Sequence, residues 1–343
     1  MGAVQQEMNK KGPTAVTTLK EKWDRMAQRH PQYPVTFSLI AVLIVMSLFI
    51  GIMNPRFFMA RNLTNILVQV TGFMCLAVGM TLVMTTGGLD ISVGAIAGLT
   101  SATVGVAMTW WGVSGVSALL IGLVVGVLCG LFNGLFVVYF KVPSLIVTLG
   151  SRAAFRSLGY VFTGGELLYG FPLTFRWITQ LRPLGIPFSI ILVAPIMVWG
   201  AYFLYRTKTG RHIQAIGGNR EAARLAGVKV KPILLSVFVI SGVMAAVAAL
   251  IAVSRLDAAQ PQIGYEYEIH TIAAVVLGGT LLTGGRGLMV ASFLAMLILQ
   301  VLSNGMVLMG VSFFWQQVVV GIVFILVVAV RTARAKEQQK IGV

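Results

Sequence analysis

Asp90 stands where a charged side chain could do chemistry inside a membrane. It ends the sequence Thr-Gly-Gly-Leu-Asp at 86–90 and is the only acid between Asp24 and Glu166. The 50 residues that follow, 91–140, contain no Asp, Glu, Lys, Arg or His. A carboxylate at mid-bilayer costs about 2.5–3.5 kcal/mol on insertion scales, so such an acid is expected to be paired or functional.

Two roles are open for Asp90. In the favoured one, it caps a helix that begins at Ile91, at the cytoplasmic edge of the membrane, where it satisfies free N–H groups and complements the helix dipole. In the other, it lies deeper and binds substrate or a coupling ion. Arg152 and Arg156 share one face of a predicted helix. Either Arg152 pairs with Asp90, or both arginines extend to the inner head groups.

A basic loop at 206–232 carries a second functional candidate. Within it, Asn219 is a suitable N-cap, Glu221 falls in the first turn and Gly227 is a suitable helix stop. This pattern predicts a helix over 220–226, below the membrane. Because two turns are not stable alone, we expect this helix to dock on another surface.

The sequence contains no signature of an enzyme or a metal site. It has no G-x-x-x-x-G-K-[ST] phosphate loop, no GxSxG and no HExxH motif. The three histidines, His30, His212 and His270, lie far apart in the sequence. We therefore predict that the chain is not an enzyme and binds no cofactor or metal itself.

The elements that position these residues are predicted to be membrane-spanning helices. As a helix, the uncharged segment would be roughly 75 Å long, more than twice the ~30 Å hydrocarbon core. Hydrophobic residues make up 57% of the chain and charged residues 10%. The expected fold class is all-α, a polytopic inner-membrane helical bundle of about ten segments. They lie at 35–53, 66–85, 93–111, 115–140, 142–162, 185–205, 233–254, 269–283, 287–309 and 311–330.

Two of these segments are less regular, and the basic residues predict the orientation of all of them. The segments at 142–162 and 269–283 are either full spans or re-entrant, broken ones. Of the 26 Lys and Arg, six lie before residue 34, seven in 206–231 and four from Arg331 onward. The positive-inside rule makes those regions cytoplasmic, which explains the net charge of +16 without nucleic-acid binding.

This orientation defines the predicted domains. Both termini are cytoplasmic, and the segments 54–65, 162–187 and 255–270 are external. The chain divides into a polar lead-in at 1–33, a transmembrane domain at 34–331 and a basic tail at 332–343.

A weak internal repeat relates two parts of the membrane domain. Residues 77–94, which include Gly87 and Gly88, align with 274–291, which include Gly284 and Gly285, at a constant offset of 197 residues. Each copy has an apolar run, a Thr-Gly-Gly break and a second apolar run. Paired glycine-interrupted segments of this kind are typical of transporters built from repeats.

Several stretches resemble the ribose-type monosaccharide permeases of ATP-binding cassette (ABC) importers. They are Gly-Gly-Asn-x-x-Ala-Ala-x-x-x-Gly-Val at 217–228, Thr-Gly-Gly-Leu-Asp-Ile-Ser-Val-Gly at 86–94, Ala-Gln-Pro at 259–261 with Tyr267-Glu268, and 272–280 running into Gly284-Gly285. The resemblance extends over roughly 40–330. His270 departs from it, because ribose-type members often carry an acid there, and this weakens an assignment to ribose itself.

The resemblance implies a set of partners. Such permeases pair as a homodimer or as two related chains, in the lipid of a bacterial inner membrane. Two ATPase subunits, or one tandem ATPase, lie below and bind ATP and Mg²⁺, and a periplasmic sugar-binding protein docks above. The external loop at 255–268 would then face the pathway mouth or the binding protein. The acids of this loop are Asp257, Glu266 and Glu268.

The resemblance and the side-chain chemistry together nominate further residues. The short helix would be the coupling helix that fits a groove of the ATPase. Its residues are Asn219, Arg220, Glu221, Ala222, Ala223, Arg224 and Gly227. A neutral sugar needs amides that match its hydroxyls and aromatic faces, and this chemistry nominates a translocation pathway. Its residues are Gln69, Asn133, Asn304, Phe313, Phe314, Trp315 and Gln316.

The expected function is import of a monosaccharide or a small polyol by an ABC transporter. Alternatives are a nucleoside, a signalling furanose or a branched-chain amino acid as substrate. A zwitterionic amino acid calls for a charge pair in the pathway, which only Asp90 with Arg152 could supply. A different class of protein, a secondary transporter, would use Asp90 as its proton or sodium site.

Overall fold

The structure is a computed structural model that describes residues 32–341. The described residues form thirteen α-helices, two 3₁₀ turns and one antiparallel pair of short strands. The α-helices are α1 (Gln32–Met53), α2 (Ala60–Thr85), α3 (Val93–Thr109), α4 (Gly115–Val138), α5 (Ser144–Thr163), α6 (Leu173–Gln180), α7 (Phe188–Arg206), α8 (Lys208–Gly218), α9 (Arg220–Leu225), α10 (Val230–Leu256), α11 (Tyr267–Leu277), α12 (Met289–Leu308) and α13 (Phe313–Ile341). The 3₁₀ turns are Pro55–Phe58 and Pro183–Gly185, and the strands are β1 (Leu168–Tyr169) and β2 (Ala258–Ala259).

The predicted terminal domains fall partly outside this description. Of the lead-in at 1–33, residues 1–31 lie outside the described residues, and α1 begins at Gln32. The tail at 332–343 continues α13 as far as Ile341, and its last two residues are again outside.

Most of the helices are suited to a membrane. Among the described residues, α1, α2, α4, α7, α10 and α12 are long and apolar enough to cross one. Shorter apolar helices are α3, α11 and the part of α13 at 313–326. The range 142–162 is filled by α5, a continuous helix of 20 residues. The prediction of a polytopic helical membrane protein is confirmed, while ten crossings remain a prediction.

The segment predicted at 269–283 is broken. Its helix, α11, has 11 residues, which is about 16 Å or half the thickness of the hydrocarbon core. A non-helical limb at 257–266 precedes it, and Asp257 and Glu266 adopt positive φ at the two ends of this limb. This segment is therefore broken and is not one continuous helix.

Helix α10 lies at the centre of the bundle because small residues let other helices approach it. A Cβ atom added at Gly126 of α4 would lie 2.6 Å from the carbonyl oxygen of Gly242 of α10. One added at Gly79 of α2 would lie 2.9 Å from the Cα atom of Ser241. Close backbone approach at small residues is the usual way that membrane helices associate.

The two Thr-Gly-Gly breaks meet at one end of the bundle. The amide N–H of Gly285 donates to the carbonyl oxygen of Thr85 over 2.9 Å. A Cβ atom added at Gly284 would lie 2.7 Å from the amide nitrogen of Gly87. Gly87, Gly284 and Gly285 all adopt positive φ, which side chains other than glycine rarely tolerate. A two-fold relation between the halves that contain these breaks stays a prediction.

Candidate functional site

The short helix predicted in the basic loop is present as α9. The side chain of Asn219 accepts a hydrogen bond from the amide of Ala222 at 2.9 Å, as an N-cap does. The helix ends at Leu225, one residue earlier than predicted, and Gly227 follows with φ +82°. Local capping signals were therefore sufficient to locate this element.

One face of α9 is docked and the other is free. Ala223 is buried and belongs to one apolar cluster with Val138 at the end of α4 and Val230 at the start of α10. Arg220, Glu221 and Leu225 are exposed, and Leu225 has 75% of its surface accessible. The predicted docking is thus made by one small residue, which leaves a charged and apolar face open to a partner.

Glu221 and Arg224 form an ion pair on this free face. The guanidinium of Arg224 donates to both carboxylate oxygens of Glu221, with a shortest N–O distance of 2.5 Å. These hydrogen bonds lower the pKa of Glu221 below the usual range of a carboxyl group. The carboxylate therefore stays ionised at neutral and mildly acidic pH.

A second helix in the loop, α8, was not predicted. Its 11 residues include three glycines, which lower helix propensity. The available signal was Thr207, whose hydroxyl accepts from the amide of Gly210 at 3.0 Å and caps the helix. Ile213 and Ile216 of α8 are buried, and this packing outweighs the weak propensity.

The structure corrects the favoured role of Asp90. The helix that follows begins at Val93 rather than Ile91, and Asp90 is fully buried inside the bundle. Its carboxylate accepts hydrogen bonds from the amide and hydroxyl of Ser92 at 3.1 and 2.6 Å, and from Ser241 at 2.7 Å. Ser241 lies near the middle of α10. Asp90 is thus a deep tertiary link, and not the cap of a helix at the surface.

Asn133, a predicted pathway residue, belongs to the same buried cluster. Its amide nitrogen donates to the hydroxyl oxygen of Ser92 at 2.8 Å, and its side chain has no exposed surface. The cluster joins α4, α10 and the break before α3. Asn133 does not face an open pathway in this structure.

The predicted pairing of Arg152 with Asp90 is wrong. Arg152 lies 2.7 Å from Glu268 of α11, in an ion pair without the geometry of a linear hydrogen bond. The two acids differ in position, because α11 brings Glu268 into the bundle and against α5. Glu268 is 3% exposed, so its side chain faces the interior of the bundle, and its predicted place on the binding-protein side stays a prediction.

Arg156 does not extend to the head groups either. Its guanidinium donates to the carbonyl oxygens of Gly94 at 2.9 Å, Ile263 at 2.8 Å and Pro261. Buried backbone outside helices and sheets needs hydrogen-bond partners for its polar groups. Arg156 provides them for the limb at 257–266.

The other two external acids differ in their contacts. Asp257 lies 3.2 Å from Arg176, and both side chains are about one-third exposed. Glu266 stands between Tyr265 and Tyr267 and is partly exposed. These two positions are consistent with the predicted external loop.

A cleft of about 170 Å³ is lined by polar and aromatic side chains suited to a small ligand. It lies between α2, α11, α12 and α13. Its lining residues are Phe73, Tyr265, Tyr267, His270, Met296, Leu299, Gln300, Ser303, Phe313, Gln316 and Gln317. None of these is Asp, Glu, Lys or Arg, so the cleft presents amides, hydroxyls and rings without a full charge.

The predicted pathway residues fall in three places relative to this cleft. Phe313 and Gln316 line it. Gln69 adjoins it, accepting a hydrogen bond from Gln300 at 2.7 Å. Asn304 instead exchanges hydrogen bonds with Asn62 at 2.9 Å, and Phe314 and Trp315 are 80% and 64% exposed outside it.

The remaining lining residues were missed. Tyr267 and His270 are three residues apart on α11 and so share a face, a spacing that was visible in the sequence. The ring of Phe73 from α2 lies 4.7 Å from that of Tyr267, centroid to centroid. His270 Nε2 is 3.1 Å from Gln317 Oε1 of α13. No sequence signal joins α2, α11 and α13, because their proximity is tertiary.

Comparison with known proteins gives a consistent result. Residues 62–328 match the family described as branched-chain amino acid transport system / permease component. The ribose import permease protein of Escherichia coli strain K12 is 39% identical over 85% of this chain and 92% of its own length. That of Bacillus subtilis strain 168 is 41% identical over 83% and 89%. The xylose transport system permease protein of Haemophilus influenzae is 31% identical over 88% and 97%.

No solved structure gives a significant match to the chain. The family match nevertheless covers more than three-quarters of the residues, and it includes both breaks, the basic loop and the cleft. The chain belongs to the family of branched-chain amino acid transport system permease components, and it is a multi-pass inner-membrane protein that acts in transport.

Proposed function

We propose that this chain is the permease subunit of an ATP-driven importer that moves a monosaccharide or a small polyol into the bacterial cytoplasm. The observation that carries the proposal is the uncharged cleft lined by amides and aromatic rings. Sugar hydroxyls bind amide and hydroxyl groups, while the C–H faces of a sugar ring pack against aromatic side chains. Relatives named for ribose import and for xylose transport support the same class of substrate.

A branched-chain amino acid fits this cleft less well. A zwitterion needs an opposite charge for each of its ends, because a buried charge without a partner is costly. None of the lining residues supplies a full charge. Asp90 and Arg152, the pair that could have done so, bind other groups.

The proposed assembly contains a second permease chain, identical or related, and a periplasmic sugar-binding protein. Two ATPase subunits, or one tandem ATPase, bind ATP and Mg²⁺ and contact the free face of α9. In this assembly ATP-driven closure of the ATPase displaces α9 and opens the permease pair to the outside. The chain crosses the membrane ten times, with cytoplasmic termini and a domain at 34–331.

Vesicle uptake tests the substrate and the energy source together. We expect the chain, reconstituted with its ATPase and binding protein, to take up labelled ribose or xylose only when ATP is present inside. Leucine should not compete for this uptake. Uptake of leucine in place of sugars, or uptake that survives ATP depletion and collapses with an uncoupler, would contradict the proposal.

Exchange of both charged residues on α9 tests the coupling surface. The Glu221→Ala/Arg224→Ala variant should lose most sugar uptake while the chain still folds and inserts. Arg211→Ala is the matched control, because Arg211 is an exposed cation on the neighbouring helix α8. Equal uptake by the double variant and the control would remove α9 from the coupling mechanism.

A further inference from the structure

Gly217, the second-last residue of α8, lies against both Thr-Gly-Gly breaks. A Cβ atom added there would overlap the carbonyl oxygen of Thr85 and the amide nitrogen of Gly285. These two atoms form the hydrogen bond that joins the breaks. The backbone of the basic loop is therefore in direct contact with both ends of that bond.

The neighbouring residue, Gly218, offers a contrast. A Cβ atom added at Gly218 would have no atom within 4 Å apart from its chain neighbours and the nearby backbone of its own helix. Neither Gly217 nor Gly218 has positive φ, so alanine introduces no backbone strain at either position. The two glycines thus differ in whether a methyl group would collide with the breaks.

The connection between this contact and α9 is short. Asn219, which caps α9, follows Gly218 directly. At its other end α8 is held against α7, where a Cβ atom at Gly210 would overlap the carbonyl oxygens of Phe203 and Leu204. Contacts between backbones leave no flexible side chain to absorb a displacement, and packed interiors transmit strain for this reason.

The breaks in turn adjoin three helices, α2, α11 and α12, that form walls of the cleft. Thr85 is the last residue of α2, which carries Phe73. The second break lies between α11, which carries Tyr267, and α12, which carries Gln300. A shift at the hydrogen bond between Thr85 and Gly285 therefore changes how these walls stand relative to one another.

We propose that Gly217 is a positioning residue for transport, through which movement of α9 reaches both breaks and the cleft. This inference rests on the proposed function, because it assumes that an ATPase moves α9. The absence of a side chain at 217 keeps the loop in register with the two breaks. A methyl group at position 217 pushes the loop away from the two breaks, so that movement of α9 no longer reaches the cleft.

The test compares Gly217→Ala with Gly218→Ala in the complete transporter in vesicles. We expect Gly217→Ala to reduce sugar uptake per ATP hydrolysed by about tenfold, which lies within the range of coupling effects. The ATPase should still co-purify with this variant. Gly218→Ala should retain wild-type uptake. Equal coupling in the two variants, or loss of ATPase binding in Gly217→Ala, would overturn the inference.

A second measurement uses the wild-type complex and does not depend on the variant folding. Addition of ATP should change amide hydrogen exchange in peptides that cover 215–220 and 281–287 together. A change confined to the loop peptides would refute transmission through Gly217. If wild-type vesicles show no ATP-driven uptake at all, the proposed function fails instead, and the two failures are distinguishable.

Discussion

The bundle accommodates two buried carboxylates in different ways. Asp90 accepts hydrogen bonds from an amide and two serine hydroxyls, and no basic side chain among the described residues pairs with it. Glu268 accepts none from the described residues but lies 2.7 Å from Arg152. One acid is stabilised by dipoles and the other by a charge.

The surroundings of Asp90 and Glu268 also differ in how exposed the partners of each acid are. The side chain of Arg152 is 41% exposed, whereas every partner of Asp90 is buried. The ion pair between α5 and α11 can therefore open toward another group without unpacking the bundle. The cluster around Asp90 can change only if α3, α4 and α10 separate. The comparison distinguishes a movable link at the broken segment around α11 from a fixed link at the bundle centre.

Loss of Arg152 should have the largest effect on stability. Arg152→Met leaves Glu268 buried without its ion-pair partner, and breaking a buried pair costs about 3–5 kcal/mol of unfolding free energy. The partial exposure of Arg152 favours the lower end of that range. The measurement is the unfolding free energy in detergent.

Two controls sharpen this result. Arg176→Met breaks the partly exposed external pair with Asp257, for which about 0–1 kcal/mol is expected. The double variant Arg152→Met/Glu268→Met should recover most of the loss, because it removes both charges. If Arg152→Met and Arg176→Met were equally mild, the charge-stabilised description of Glu268 would be incorrect.

Changes at Asp90 should have a smaller effect that depends on shape. Asp90→Ala removes three hydrogen bonds and leaves two serine hydroxyls to find new acceptors, which we expect to cost about 2 kcal/mol. Asp90→Asn keeps the shape and one acceptor oxygen, so it should cost about 1 kcal/mol. Thermal unfolding of the two variants in the same detergent measures the difference.

The same asparagine variant also tests the rival transport mechanism. With its acceptor role largely kept, Asp90→Asn should retain ATP-driven sugar uptake within about threefold of wild type, since ~0.6 kcal/mol is a small coupling loss. A carrier that used Asp90 to bind a proton or sodium ion would lose all uptake with this substitution. Complete loss in a correctly folded variant would reinstate that alternative.

The smallest effect on stability is expected at the exposed ion pair on α9. Hydrogen bonds from Arg224 lower the pKa of Glu221. The ion pair is therefore fully formed at any pH above the usual carboxyl pKa, and it is lost only when the pH falls through the lowered pKa. The ion pair should therefore stay intact between pH 7 and 5, and ATP-driven uptake should not fall in this range through loss of the pair. Glu221→Gln should leave the midpoint of thermal unfolding unchanged, because both side chains are about two-thirds exposed.

Local signals explain which parts of the site were predictable. Asn219 and Gly227 bound a helix through interactions within a few residues, and α9 formed where they indicated. The partner of Arg152 is 116 residues away in sequence, and it depends on α11 folding back into the bundle. Both Asp90 and Glu268 adjoin apolar stretches of sequence, so the sequence offered no basis for choosing Glu268 over Asp90 as the ion-pair partner of Arg152.

By itself the sequence determined that this is a polytopic helical membrane protein with two glycine breaks and a capped helix in a basic loop. Those features follow from hydropathy, charge placement and short-range hydrogen bonding, which act along neighbouring residues. Only the tertiary structure decided that Asp90 is held by Ser241, that Arg152 faces Glu268, and that Gly217 touches both breaks. These contacts join residues that are far apart in sequence. They form because close packing at small residues brings the helices that carry them together.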